Sequence, residues 1–132
     1  MKKILIVEDN MSMRFLLERI FKDLYNVKTA DDGLTAMVLI RKGFVPDLII
    51  TDINMPSING YELIMYLKKS NLYGHIPIVI LSSSSSEEVK YEGIDSFIEF
   101  TLQKPFEPKE LQQRVALVLK KHSYLTAVPS EA

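Results

Sequence analysis

Three acidic side chains in this sequence follow runs of apolar residues. Glu8 and Asp9 come directly after the run at residues 4–7, and Asp52 comes just after the run at residues 48–50. Short, continuous apolar runs are typical of strands that are covered on both faces of a parallel sheet. Open α/β sheets bind ligands at the carboxyl ends of their strands. The sequence therefore predicts that these three carboxylates meet at a ligand-binding edge.

The nearby residue types favour a hard divalent cation at this edge. Three carboxylates in one crevice repel one another, so at least one would stay protonated unless a cation neutralises them. The two histidines, His75 and His122, fall away from these strand ends, and the chain has no cysteine. Disulfides, thiolate metal sites and cysteine nucleophiles are therefore excluded. Carboxylates, a backbone carbonyl and water suit Mg²⁺, or Mn²⁺, rather than zinc.

Two further polar side chains follow later strand-like segments. Ser82 ends the apolar run at residues 77–81, and Lys104 follows a short segment near residues 100–102. Lys104 carries a positive charge on a flexible stem, which suits an anionic oxygen, and Ser82 offers a hydrogen bond to the same anion. With Asp52 as the nucleophile, these groups describe phosphoryl transfer to a carboxylate. A general base is unnecessary because an ionised carboxylate is already nucleophilic.

The elements that would position these side chains alternate between strand and helix. Apolar runs predict five strands, at residues 4–7, 26–29, 48–51, 77–81 and about 100–102. Helical spacing and capping signals predict helices at about residues 12–24, 34–42, 61–69, within 87–96 and at 108–122. This alternation, with right-handed crossovers, predicts a single doubly wound α/β domain. We expect a flavodoxin-like fold with a five-stranded parallel sheet in the order 2-1-3-4-5, flanked by five helices.

Local signals also set expectations for the first helix. Ser12 is the expected cap at its start, because a hydroxyl there accepts a hydrogen bond from a free backbone N–H group. Apolar residues then recur at helical spacing as Phe15, Leu16, Ile20 and Leu24.

The composition is that of one globular domain. The chain has 132 residues, of which 47% are hydrophobic and 25% charged, and its formal net charge is −1. So small a charge provides no overall field to attract nucleic acid or a membrane surface. No apolar run approaches the ~20 residues of a membrane helix, and the first residues lack signal-peptide features, so we expect a cytoplasmic protein. We expect the domain to span residues 1–122, with residues 123–132 as a flexible tail or the start of a linker.

These segments together resemble the receiver domains of response regulators in two-component signalling, the CheY-like family. The resemblance covers Met1 to about Lys121. It is carried by Ile4-Leu5-Ile6-Val7-Glu8-Asp9, Asp52-Ile53-Asn54-Met55-Pro56, Asn59-Gly60, Ser82 and Lys104-Pro105-Phe106. Each motif is weak alone, but all of them in this order and at this spacing form a specific signal.

The resemblance implies a donor, a cofactor and a target. Asp52 would accept a phosphoryl group from a sensor histidine kinase or a histidine phosphotransfer protein. Mg²⁺ would be held by Asp9, Asp52 and the backbone carbonyl of Asn54, with Glu8 acting partly through water. The output partner would be a downstream protein or a fused output domain. No direct contact with nucleic acid or a membrane is expected, and no turnover of a separate substrate.

The same resemblance assigns roles to loop residues. The side chains of Asn54 and Ser84 would influence how fast the acyl phosphate hydrolyses, and Ser83 would contact the site from the same loop as Ser84. The Lys104-Pro105 peptide bond resembles one that is cis in the family, a minority state for bonds before proline.

The sequence departs from the family just before Lys104. Family members usually carry a Tyr or Phe three residues before the lysine, which turns inward on phosphorylation, and here Thr101 holds that position. A second register, based on residues 93–98, nominates Phe97 but leaves residues 100–103 as extra residues between strand and lysine. The chemistry needs Lys104 to be fixed by a strand end, which favours Thr101, together with Ser82, as the switch. We expect the output face, formed by helix 4, strand 5 and helix 5, to switch differently from the common pattern.

Three other functions compete with a phosphorylated switch. A receiver fold that binds partners without phosphorylation is disfavoured because all acceptor residues are present. A flavodoxin-like electron carrier must hold FMN phosphate after strand 1, where Glu8 and Asp9 would repel it. A haloacid-type phosphatase carries an Asp-x-Asp pattern after strand 1, which Glu8-Asp9-Asn10 does not supply.

Overall fold

Five parallel strands form one sheet in the order β2-β1-β3-β4-β5, which confirms the predicted topology. The computed structural model describes residues 1–55, 57–83 and 94–127, except the side chains of residues 95 and 124–127. The strands are β1 (Lys3–Val7), β2 (Asn26–Ala30), β3 (Leu48–Asp52), β4 (Ile78–Ser82) and β5 (Ile98–Gln103). The α-helices within the described residues are α1 (Met11–Phe21), α2 (Gly33–Arg41), α3 (Gly60–Lys68) and α4 (Pro108–Ala127).

The helix expected within residues 87–96 falls mostly outside the described part of the chain. Residues 84–93 are not described, and Asp95–Phe97 form a short 3₁₀ turn that leads into β5. Within the described residues, no helix has both the length and the apolar composition needed to cross a membrane.

The sheet is covered on both faces, as its apolar strands require. One core cluster lies between the sheet and the helices α2 and α3, and a second lies between the sheet and the helices α1 and α4. On α3 the predicted inward residues Leu63, Ile64 and Leu67 are all fully buried. Burying a side chain of this size stabilises the fold by roughly 1.5–3 kcal/mol. The two layers therefore hold the carboxyl ends of the central strands in fixed positions.

The first helix differs from the expectation in its cap and its buried face. Asn10, not Ser12, caps α1, because the Asn10 side chain accepts a hydrogen bond from the backbone of Met13 at 2.8 Å. Leu17 and Phe21, four positions apart on one face of α1, are the residues buried against the sheet. The helix ends at Phe21 rather than near residue 24. Of the residues expected at helical spacing, Ile20 is half-buried, whereas three are exposed: Phe15, Leu16 and Leu24.

The edge strand β5 contains one residue more than its partner. Ile78 lies opposite Ile98 and Val79 lies opposite Phe100, so Glu99 is the additional residue of a bulge. The Glu99 carboxylate accepts a hydrogen bond from Lys121 Nζ at 3.1 Å and lies 3.2 Å from His122 Nε2. Burial raises the pKa of Glu99, but these two partners outweigh it and hold the pKa below its ordinary value.

The contacts of Lys121 and His122 with Glu99 hold the later part of α4 against the sheet. The helix end expected near residue 122 is wrong, because α4 continues to Ala127. Residues 128–132 of the expected tail lie outside the described residues.

Candidate functional site

The carboxyl ends of β1 and β3 bring three carboxylates together. Asp52 is the last residue of β3, while Glu8 and Asp9 directly follow β1, its neighbour in the sheet. Carboxylate oxygens from the three side chains lie within 4.8 Å of one another. We refer to Glu8, Asp9 and Asp52 as the acidic cluster. This all-oxygen donor set fits Mg²⁺ or Mn²⁺, since both cations prefer carboxylate, carbonyl and water ligands.

The members of the acidic cluster differ in burial. Glu8 and Asp52 are 1% and 8% exposed, whereas Asp9 is exposed to solvent. Burial raises the pKa of Glu8, even though Lys104 acts in the opposite direction. The exposed Asp9 thus gives the buried carboxylates an opening to water, through which a hydrated cation can approach.

Lys104 supplies a positive charge inside the site. Its Nζ lies 2.7 Å from Glu8 Oε1 and 3.3 Å from Asp52 Oδ2. Burial lowers the pKa of Lys104, but the two carboxylates outweigh that effect and raise it above its ordinary value. Lys104 therefore stays protonated and offsets part of the repulsion within the acidic cluster. The position of Lys104 near Asp52 was predictable from the sequence, but its ion pair with Glu8, 96 positions away, was not.

The backbone of Lys104 is anchored to the end of β4. Ser82 pairs with Gln103 in the sheet, and the Lys104 N–H donates to the Ser82 carbonyl at 2.6 Å. The Lys104–Pro105 peptide bond is cis, as the resemblance implied. Ser82 is 2% exposed, so the strand end that carries it is firmly enclosed.

The segment after Asp52 is packed closely against the strand. The Asn54 N–H donates to Asp52 Oδ1 at 3.3 Å, and the Gly60 N–H donates to the Ile53 carbonyl at 3.0 Å. A Cβ atom added to Gly60 would lie 2.2 Å from the Asp52 carbonyl oxygen, closer than atoms can approach. Gly60 therefore permits α3 to begin directly against the backbone of Asp52.

A second glycine supports the same segment from α2. The Gly33 N–H donates to the Ile58 carbonyl at 3.0 Å, and an added Cβ on Gly33 would meet that oxygen at 2.3 Å. Ser57, next to Ile58, adopts a positive φ of 64°. The loop after Asp52 is thus held between α2 and α3.

The remaining residues named from the sequence follow β3 and β4 along the chain. Asn54 and Ser83 are exposed, and Ser84 and Pro56 lie outside the described residues. Their assigned roles remain predictions.

The two candidate switch positions occupy different elements. Thr101 is exposed on β5 opposite Ile80, and Phe97 lies in the turn before β5, partly buried against the core. Residues 98–103 all belong to β5, so residues 100–103 are part of the strand and not an insertion after it. Thr101 therefore lies within β5, three residues before Lys104, which directly follows the strand. Which of the two residues switches remains a prediction.

Comparison with known proteins decides the family. The family described as "Response regulator receiver domain" matches residues 4–116. The chain belongs to the response regulator receiver family. Chemotaxis protein CheY-3 of Vibrio cholerae is 30% identical over 121 residues, a similarity that covers 90% of this chain and 92% of that protein. The high-resolution structure of CheY4 from Vibrio cholerae matches with a TM-score of 0.80 and 34% identity, covering 89% of this chain and 98% of that one.

The receiver fold also occurs within much longer relatives. Histidine kinase P4 of Formosa agariphila is 37% identical over 129 residues, which is 98% of this chain but 9% of that protein. This chain therefore spans about a tenth of the length of that histidine kinase, whereas it spans nearly all of CheY-3. Receiver domains of both kinds belong to two-component systems, in which they typically act as signalling switches rather than enzymes.

Proposed function

We propose that this receiver domain is a phosphorylation-dependent switch and that Asp52 is its phosphoacceptor. The observation that carries the proposal is the geometry around Asp52. Oxygens of three carboxylates lie within 4.8 Å of one another, and a protonated lysine lies 3.3 Å from Asp52. Positioning and charge neutralisation are the main requirements of phosphoryl transfer.

The reaction is a displacement at phosphorus. An oxygen of Asp52 attacks the phosphorus of a phosphohistidine, the phosphorus–nitrogen bond breaks, and the histidine nitrogen leaves with the bonding electron pair and takes up a proton. The product is an acyl phosphate on Asp52. Lys104, already beside Asp52, pairs with an oxygen of the transferred group, and Ser82 donates to another. Mg²⁺, or Mn²⁺, would be held by Asp9, Asp52 and the Asn54 carbonyl, with Glu8 contributing partly through water, and would neutralise negative charge there.

Phosphorylation would change the surface near β4 and β5. A phosphoryl group adds about 1.5–2 negative charges. Movement of Lys104 toward it would alter the ion pair with Glu8, whose side chain is almost fully buried. Because the Lys104 N–H is also hydrogen-bonded to the Ser82 carbonyl, a movement of Lys104 would displace the end of β4. Thr101, exposed on β5, is the residue through which we expect partners to sense that change.

The partners follow from this chemistry. A sensor histidine kinase or a histidine phosphotransfer protein would supply the phosphoryl group, and a downstream protein or a fused output domain would read the changed surface. No contact with nucleic acid or a membrane is part of the proposal. We place the reaction in the cytoplasm, where ATP charges such kinases.

Intact-mass measurement tests the proposal. We expect one phosphoryl adduct when the protein is incubated with Mg²⁺ and phosphoramidate, and none when EDTA replaces Mg²⁺. Asp52→Asn should form no adduct. Asp47→Asn is the matched control, because Asp47 accepts a hydrogen bond from the backbone of Lys3 at the start of β1, away from the site. An unchanged adduct on Asp52→Asn would refute the assignment of the phosphoacceptor.

A further inference from the structure

The cationic side chain of Arg14 contacts the backbone of the acidic cluster. Arg14, one turn into α1, donates from Nη1 to the carbonyl oxygen of Glu8 at 2.9 Å and also contacts that of Asp9 at 3.4 Å. The side chain is half-buried. These contacts reach two consecutive peptide groups whose side chains both belong to the acidic cluster.

The other contacts of this segment leave Asp9 weakly constrained. The Glu8 N–H donates to the Ala30 carbonyl at 3.0 Å, and the Glu8 carboxylate is held by Lys104 and by the Asn10 N–H. Asp9 is exposed, and its peptide carbonyl accepts a hydrogen bond from Arg14 at 3.4 Å. The position of the Asp9 carboxylate therefore depends on how its backbone is oriented.

We propose that Arg14 is a positioning residue for the cation site: it bridges the Glu8 and Asp9 carbonyls and so orients the exposed carboxylate toward Asp52. This inference rests on the proposed function, because it concerns the same cation. Both contacts come from Nη1. Arginine suits the task because the planar guanidinium fixes the direction of the two N–H groups on that nitrogen, whereas the lysine ammonium is a flexible point of charge.

Two possible roles of Arg14, as a positive charge and as a positioning residue, predict opposite effects of its removal on cation binding. If Arg14 acted only as a positive charge near the acidic cluster, removing it would strengthen the binding of a dication. If Arg14 orients Asp9, removing it weakens the binding, because the ligand then has to be ordered when the cation binds. The sign of the change therefore distinguishes the two roles.

The experiment measures Mg²⁺ binding by isothermal titration calorimetry, without a phosphoryl donor. The variants are Arg14→Met, which keeps much of the stem without the charge, and Arg14→Lys, which keeps the charge without the planar guanidinium. Arg19→Met removes an exposed arginine from the same helix and serves as the control. We expect both Arg14 variants to bind Mg²⁺ about tenfold more weakly, as for loss of groups that orient metal ligands, and Arg19→Met to bind like the parent.

A second readout separates positioning from chemistry. With phosphoramidate as the donor, the Mg²⁺ concentration that gives half the maximal adduct rate should rise about tenfold in both Arg14 variants. The rate at saturating Mg²⁺ should stay within about twofold, since Arg14 does not touch the reacting groups. A small donor avoids any effect of α1 on docking of a protein donor, and circular dichroism melts confirm that each variant is folded.

Specific outcomes would overturn the inference. Tighter Mg²⁺ binding by Arg14→Met would assign Arg14 a role of charge alone, and parent-like binding by Arg14→Lys would show that the fixed guanidinium geometry does not orient Asp9. If the parent bound Mg²⁺ but formed no adduct, the proposed function would fail while weaker binding by the Arg14 variants still supported this inference.

Discussion

Asp9→Asn should lose the Mg²⁺-dependent phosphoryl adduct while the protein remains folded. Asp9 is exposed, so the exchange of a carboxylate for an amide of the same shape leaves the core untouched. It removes one charged ligand from a cluster whose oxygens lie within 4.8 Å of one another. Loss of groups that merely support metal ligands costs 10–100-fold in affinity or activity, so we expect loss of a direct ligand to reduce the adduct rate by about 100-fold or more.

Thermal melts with and without Mg²⁺ distinguish loss of cation binding in Asp9→Asn from loss of the fold. For the parent, Mg²⁺ at 100 times its Kd should stabilise the fold by about 2.7 kcal/mol, which raises Tm by on the order of 10 °C for a domain of this size. Asp9→Asn should lose this gain. Its Tm without Mg²⁺ should equal or exceed that of the parent, because one repelling charge is gone. Asp23→Asn, an exposed aspartate beyond the end of α1, should retain the full gain. A parent-like Mg²⁺ shift in Asp9→Asn would remove Asp9 from the site.

Gly60→Ala should disable the site through the backbone. The added Cβ would lie 2.2 Å from the Asp52 carbonyl oxygen and 2.8 Å from the Ile53 Cα, and both neighbours are main-chain atoms that cannot rotate away. Either β3 or the start of α3 has to shift. Forced displacement in a packed region typically costs 1–3 kcal/mol and occasionally more, so we expect about 3 kcal/mol less stability by urea denaturation. The adduct rate should fall by at least tenfold, because phosphoryl transfer depends on accurate positioning of the Asp52 carboxylate.

Ser57→Gly is the matched control in the same loop. Ser57 has a φ of 64°, which glycine adopts without steric cost. This variant should keep its stability within about 1 kcal/mol of the parent and should be phosphorylated at the parent rate. If Gly60→Ala behaved as mildly as Ser57→Gly, the close packing of α3 against Asp52 would have no functional role.

The fold was predictable wherever the chain's apolar pattern is unambiguous. The central strands are nearly continuous apolar runs, and burial on both faces leaves a parallel sheet as the natural arrangement. The limits on crossover connections leave few strand orders, and the flavodoxin-like order is the one among them that we predicted. The same reasoning placed Glu8, Asp9 and Asp52 at one edge, because side chains that end neighbouring parallel strands meet.

The details that could not be predicted depend on contacts between distant or competing residues. Two polar residues compete to cap α1, and Asn10 prevails over Ser12. The apolar residues of α1 allow more than one face to be buried, and packing against the sheet selects Leu17 and Phe21. The bulge at Glu99 has no local signal, since its partners Lys121 and His122 come more than 20 positions later. The ion pair between Lys104 and Glu8 depends on the depth at which each side chain is buried, which sequence spacing does not specify.

The most direct test of the central claim is the position of a bound dication in a crystal of the protein grown with Mn²⁺. Anomalous diffraction at a wavelength where manganese scatters strongly would locate the ion without reference to the surrounding density. We predict one anomalous peak about 2.1 Å from oxygens of both Asp9 and Asp52. A peak bound to one of these carboxylates while the other points elsewhere, or no peak at the acidic cluster, would contradict it.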